Sequence, residues 1–160
     1  MKSVGLSTFL GTAFVLVITG SAQVPNTAFS ITAAAAYSEV RSGEEAYVKV
    51  TLTNNLNRVV TLEFASPLCD YSMEVRDSVG KLAPDTEAKS KSDCAHPHST
   101  GADAILQLKP HESATNTISV SMFSDMSRLG QCSVRVAWRE PKEVGGMLVK
   151  SNTVKITVVP

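Results

Sequence analysis

The chain has no excess of charge of either sign. Lys and Arg number 15, and Asp and Glu number 15. A nucleic-acid binder needs a basic surplus to displace counterions from phosphates, so that class is excluded. There is also no run of Lys and Arg of the membrane-surface or heparin type. None of the serines lies in a Gly-x-Ser-x-Gly elbow. No His-Glu-x-x-His pair is present, and no glycine-rich loop opens a helix to take a phosphate. Adjacent carboxylates occur only at Glu44 and Glu45, where a strand pattern begins. No set of residues meets the roles and geometry of a catalytic site. The expectation is a non-enzyme that needs no cofactor.

Long apolar runs are missing as well, with one exception at the start. Lys2 supplies a short positive region, and Phe9–Ile18 is apolar but too short for a comfortable membrane span. Gly20 and Ala22 then stand at the −3 and −1 positions of a cut after Ala22. The reading is a signal peptide at 1–22, a short linker at 23–27 and one domain at 28–160. An uncleaved anchor is the alternative, because a loose count extends the apolar run from Val4 to Ile18. No later segment approaches spanning length, so no membrane span is expected after cleavage. The protein is expected to be exported to a periplasmic or extracellular location. Cleavage removes only Lys2 among the charged side chains and leaves a net charge near −1.

What is present is a period of two. Ala46, Val48, Val50 and Leu52 fall on one face of a stretch whose other face is Tyr47, Lys49, Thr51 and Thr53. That alternation marks a half-buried strand. The pattern returns with Val60, Leu62 and Phe64, with Tyr71, Met73 and Val75, and with Ile118, Val120 and Met122. It appears again with Cys132, Val134, Val136 and Trp138, and closes with Val154, Ile156 and Val158. An opening strand near Phe29–Ala35 and a short one at Ile105–Leu108 complete the set. Turn signals separate the runs, among them "RSGEE", "NNLN", "DSVGK", "LKPHES" and "EVGG". Short strands at this spacing predict an all-β antiparallel sandwich of about seven to eight strands. Residues 123–131 form the crossover before the penultimate strand, with one helical turn expected there and Ser124 as its N-cap. Met122, Phe123, Met126 and Leu129 are expected to seal the end of the core, and Trp138 to point inward. Residues 86–103 form a long, polar, irregular loop.

Three stretches carry a resemblance. "SGEEAYVKVTLTN", "MEVRDSVGK" and "FSDMSRLGQCSVRVAW" with "VKSNTVKITV" resemble the second strand, a central hairpin and the closing hairpin of secreted bacterial immunoglobulin-like domains. The layout is also similar to the domain named after an intracellular Bacillus proteinase inhibitor. The resemblance covers most of residues 28–159. It implies an immunoglobulin-like β-sandwich and leaves the activity unassigned. Where those domains place an aromatic, usually Tyr, this chain has Cys132.

Cysteine is scarce, with three in the chain. An exported protein meets an oxidising compartment, where an odd count leaves one thiol over. The turn at Ser78–Gly80 reverses the chain and brings the region of residue 69 toward that of residue 89. Cys69–Cys94 is therefore the favoured pair. Cys69–Cys132 and no internal bridge are the alternatives. With the favoured pair formed, Cys132 is a buried free thiol.

The stretch Asp93-Cys94-Ala95-His96-Pro97-His98 raises a metal-site question. In an extended segment His96 and His98 share a side, and that donor pair suits copper, nickel or zinc. A strong site needs further donors, for which His111, Asp93, Asp103 and a Cys94 thiolate are the candidates. The preferred function is recognition of a protein or glycan, or support of an envelope assembly, through the loop 86–103 and the hairpin tip 140–147. A proteinase-inhibitor-like module and a periplasmic metal-binding domain are the alternatives.

Overall fold

From Ala46 to Asn54 every second side chain points to one side and is almost fully buried. Alternation of this kind holds a backbone extended, because successive side chains leave a strand on opposite faces. The result is strand β3 (Tyr47–Asn54) in the computed structural model, which describes residues 27–92, 94 and 104–160. The segment 1–22 expected as a signal peptide lies outside the described residues, and so do His96 and His98. The remaining strands are β1 (Phe29–Ala35), β2 (Glu39–Arg41), β4 (Val60–Phe64), β5 (Tyr71–Arg76), β6 (Ala104–Leu108), β7 (Ser113–Ser119), β8 (Gly130–Arg139) and β9 (Leu148–Val159). Two short helices intervene, α1 (Pro67–Asp70) and α2 (Glu87–Ser90).

The strands form three sheets, in the orders β1-β3-β7, β2-β9-β8-β5 and β4-β6. The first two face each other around a single core. All pairs are antiparallel except β2 with β9, which run parallel from Glu39 opposite Thr157 to Arg41 opposite Val159. This is the expected all-β, immunoglobulin-like sandwich. All eight expected strands are present, and β2 is a ninth among the described residues.

Val48, Val50, Val120, Val134, Val136 and Ile156 are each no more than 1% exposed, and they form the centre of the core. Burying a side chain of this size contributes roughly 1.5–3 kcal/mol. At one end four aromatic rings meet. Phe29 meets Trp138 edge-on at 5.3 Å, and Phe64 stacks on Tyr71 at 6.3 Å and on Trp138 at 6.4 Å. Trp138 is an inward core residue, as expected.

Polar side chains tie the sheets across the core. The Asn152 side chain on β9 accepts from the Ala33 N–H and donates to the Ala33 carbonyl, both at 2.9 Å. It stands in for a neighbouring strand along the free edge of β1. At the start of β1, Glu140 Oε1 accepts the Phe29 N–H at 2.8 Å. Its other oxygen, Oε2, is buried without a hydrogen-bond partner. Burial holds the Tyr71 hydroxyl above its usual range, opposed by the Asn116 side chain and reinforced by the Asp70 charge.

Three expectations need correction. The helical turn of the crossover is a 3-10 turn at Val120–Met122, ahead of Ser124, and Ser124 does not cap it. Once Val120 donates to the Ala46 carbonyl, the ladder ends and the chain curls. Met122 therefore leaves the inward phase and is 38% exposed, and Leu129 is 60% exposed, while Phe123 and Met126 do seal the core. The loop 86–103 is not irregular throughout. Thr86 caps α2 by accepting the Lys89 N–H at 3.1 Å.

Candidate binding groove

Helices α1 and α2 are each one turn long and hold each other. The Lys89 ammonium donates to the Leu68 carbonyl at 2.9 Å and lies 5.4 Å from the centre of the Phe123 ring. Both contacts suit a cation, the second through the negative face of the ring. They set the end of α2 over α1, and Cys69 and Cys94 are bonded there with Cα atoms 5.2 Å apart. The favoured pairing is thus the one the fold adopts. Cys94 is no thiolate ligand. Cys132 is free and buried, and its Sγ–H donates to the Ile156 carbonyl at 3.2 Å. Burial pushes its thiol up from the ordinary range, so it stays protonated and unreactive at neutral pH.

The bridge spans 25 residues, and the chain-entropy model assigns such a loop about 3 kcal/mol. Thiol labelling of the native protein is expected to modify nothing, and labelling after denaturation to modify Cys132 alone. Two or three labelled thiols would contradict the pairing. Replacing both Cys69 and Cys94 by Ala is expected to cost roughly 2–4 kcal/mol of stability, read as a lower denaturation midpoint.

Next to this bridge runs a groove of about 680 Å³. One side is the segment Arg58–Glu63, which is the first four residues of β4 with the two residues before it. The other side is the end of β8 and the turn after it, through Trp138, Arg139, Pro141, Glu143 and Val144. Cys69 and Asp70 line it too, and Asp70 is tied to the far end of β4 because its Oδ1 accepts the Ala65 N–H at 3.2 Å. The hairpin tip 140–147, expected as a contact surface, therefore forms a wall. Its shape comes from a 3-10 turn at Lys142–Val144 followed by Gly145 and Gly146, both at positive φ.

Strand β4 hydrogen-bonds to β6 on one side, and among the described residues no strand lies on its other side. Val60 and Leu62 turn inward, while Thr61 and Glu63 are exposed. A strand paired on one side only leaves alternate N–H and C=O groups unpaired. The rim carries the guanidiniums of Arg58 and Arg139 and the carboxylates of Glu63, Asp70 and Glu143. Arg139 also donates to the Gly146 carbonyl at 3.1 Å. Trp138 is only 5% exposed, so the groove offers no open aromatic face.

Of the histidines considered for metal, His111 is the one among the described residues. It is exposed, with φ 61°, and its Nε2 lies 3.1 Å from Asn57 Oδ1. It follows Leu108, whereas the segment after Cys94 enters β6 at Ala104, the opposite end of that strand. The described residues contain no group of three or more His, Cys, Asp or Glu able to hold a metal ion. Sequence reasoning missed the part played by β4. Its five residues are an ordinary strand length, so nothing local in the sequence marked it as a groove-lining edge.

No family model matches the chain, and no curated protein does. Among solved structures it is similar to the CARDB domain of a Pyrococcus furiosus protein, solved in complex with di-metal ions. The identity is 13% and the TM-score 0.43, over 82% of this chain and 87% of that one. A β-glucosidase from Listeria innocua matches at 13% identity and TM-score 0.43, over 81% of this chain and 16% of the enzyme. The alkylpurine DNA glycosylase AlkC of Pseudomonas fluorescens, bound to DNA, matches at 12% identity and TM-score 0.43, over 84% of this chain and 31% of the enzyme. The chain thus spans less than a third of either enzyme. The fold stands on its own strand pairings.

Proposed function

We propose that this is an exported, non-enzymatic recognition domain whose contact surface is the groove beside β4, and that its partner is a protein. The observation that carries the reading is the unpaired edge of β4 facing a walled groove. Recognition sites on rigid β-scaffolds are built from strand edges and end loops, and this groove combines both. A protein is favoured over a glycan because the groove presents backbone hydrogen-bonding groups and no open aromatic face. Export agrees with the Cys69–Cys94 bridge, since structural disulfides persist in oxidising compartments. Intact mass of the protein recovered from its host tests that part. The expected mature chain begins at Gln23 and carries one disulfide, and a full-length, fully reduced chain would contradict export.

Site-specific photo-crosslinking in the native host tests the surface. A benzophenone side chain placed at Thr61, which is exposed on β4, is expected to capture one discrete protein. The same group at Lys155, exposed on β9, is the control and is expected to capture little. Equal capture at both positions, or capture at Lys155 alone, would remove the groove as the contact surface.

A further inference from the structure

We infer that the groove takes an extended peptide segment of about five residues, which adds to β4 as a further strand; this rests on the recognition reading above and names its ligand. Strand β4 has five residues, a length of about 16 Å at the rise of an extended chain. Its unpaired N–H and C=O groups are the template that strand addition requires.

Two features select a lone strand over another kind of occupant. The first is the wall opposite β4, built on Trp138, Pro141 and Val144. It stands across the groove from the edge, so an occupant has to enter between the two sides. The second is that two other edge strands, β1 and β5, have their edges occupied from within the chain. The edge of β1 is occupied by Glu140 and Asn152. The edge of β5 is covered by the chain that follows it, where Ala83 N–H donates to the Val75 carbonyl at 2.9 Å and Leu82 bridges Arg76. The edge of β4 differs from these two in lining a groove instead of being occupied by the chain's own groups.

Charge sets the ends of the ligand. Arg58 stands at one end of the segment and Glu63 at the other, with Asp70 near Glu63 through Ala65. The matching peptide carries a basic residue opposite Glu63, an acidic one opposite Arg58, and β-formers such as Val and Thr between them.

The test uses two synthetic peptides, acetyl-Lys-Val-Thr-Val-Thr-Glu-amide and its reverse-order counterpart, titrated into the isotope-labelled domain and followed by backbone amide shifts. The better of the two is expected to shift residues 58–63 and 138–144 and to leave β2 and β9 unmoved. Methylating alternate amide nitrogens on the peptide face that meets β4 is expected to weaken binding about tenfold or more, since each lost hydrogen bond is worth roughly 1 kcal/mol. The change sits in the ligand, so folding of the domain is not at issue. Absence of binding by both peptides, shifts confined to other surfaces, or affinity unchanged by methylation would overturn strand addition. If crosslinking at Thr61 still captures a partner in that case, the recognition surface stands and only the mode of binding falls.

Discussion

Asn54→Ala is expected to lower the free energy of unfolding by about 3–5 kcal/mol. Asn54 ends β3 and is 0% exposed. Its side-chain nitrogen donates to the carbonyls of Arg58 at 2.8 Å, Lys109 at 3.0 Å and Leu108 at 3.1 Å. Its side-chain oxygen accepts the Leu56 N–H at 2.9 Å. One residue therefore joins the turn before β4 to the turn after β6. The substitution leaves these backbone groups without their partner in a site with little access to water, and each unsatisfied buried group costs roughly 1–3 kcal/mol. The check is urea denaturation, with a lower midpoint expected at an unchanged slope. A loss under about 1 kcal/mol would mean that water replaces the amide without penalty. Because Arg58 begins the groove, the variant is also expected to loosen that end of it.

Trp138→Ala is expected to cost about 3–5 kcal/mol, the range for removing a large aromatic from a core. Trp138 is 5% exposed and touches both Phe29 and Phe64. The cavity it leaves lies between β1, β4 and β8, and three packed strands cannot collapse fully onto it. Trp138→Phe keeps a ring in the same place and is expected to cost less than half as much. Equal losses in the two variants would show that ring packing is not the source. Trp138 also lines the groove, so the Ala variant is expected to lose the crosslink at Thr61, while the Phe variant retains most of it.

The long strands were legible in the sequence because burial on one face imposes a period of two, which β3 keeps throughout and β8 and β9 keep on the Cys132–Val136 and Val154–Val158 side of their register shift. The disulfide was legible for a related reason, since a recognisable hairpin turn brought its two halves together. Strand β2 was not, because three residues are too few to show a period. Asn54 was read as part of a turn signal, yet it continues the inward series Ala46, Val48, Val50 and Leu52. The phase placed it inside, and composition alone hid it. The shift of the helical turn from Ser124 to Val120 depends on where the β3–β7 ladder stops, which is decided by pairing and not by local preference. The groove was the least visible feature. Its two sides come from β4 and the end of β8, distant in sequence, and β4 was not among the surfaces named beforehand. What separates β4 from β3 is the number of strands beside it, a property of topology that no local pattern carries.

The availability of the β4 edge is measured most directly by amide hydrogen exchange in the isolated domain. β3 is paired on both sides, by β1 and β7, whereas among the described residues β4 is paired by β6 alone. Exchange is expected to be uniformly slow along the interior of β3, and along Val60–Phe64 to alternate between slow amides bonded to β6 and fast amides facing the groove. Protection of every β4 amide at the level of β3 would mean that the edge is covered, and the groove would then be no template for a partner.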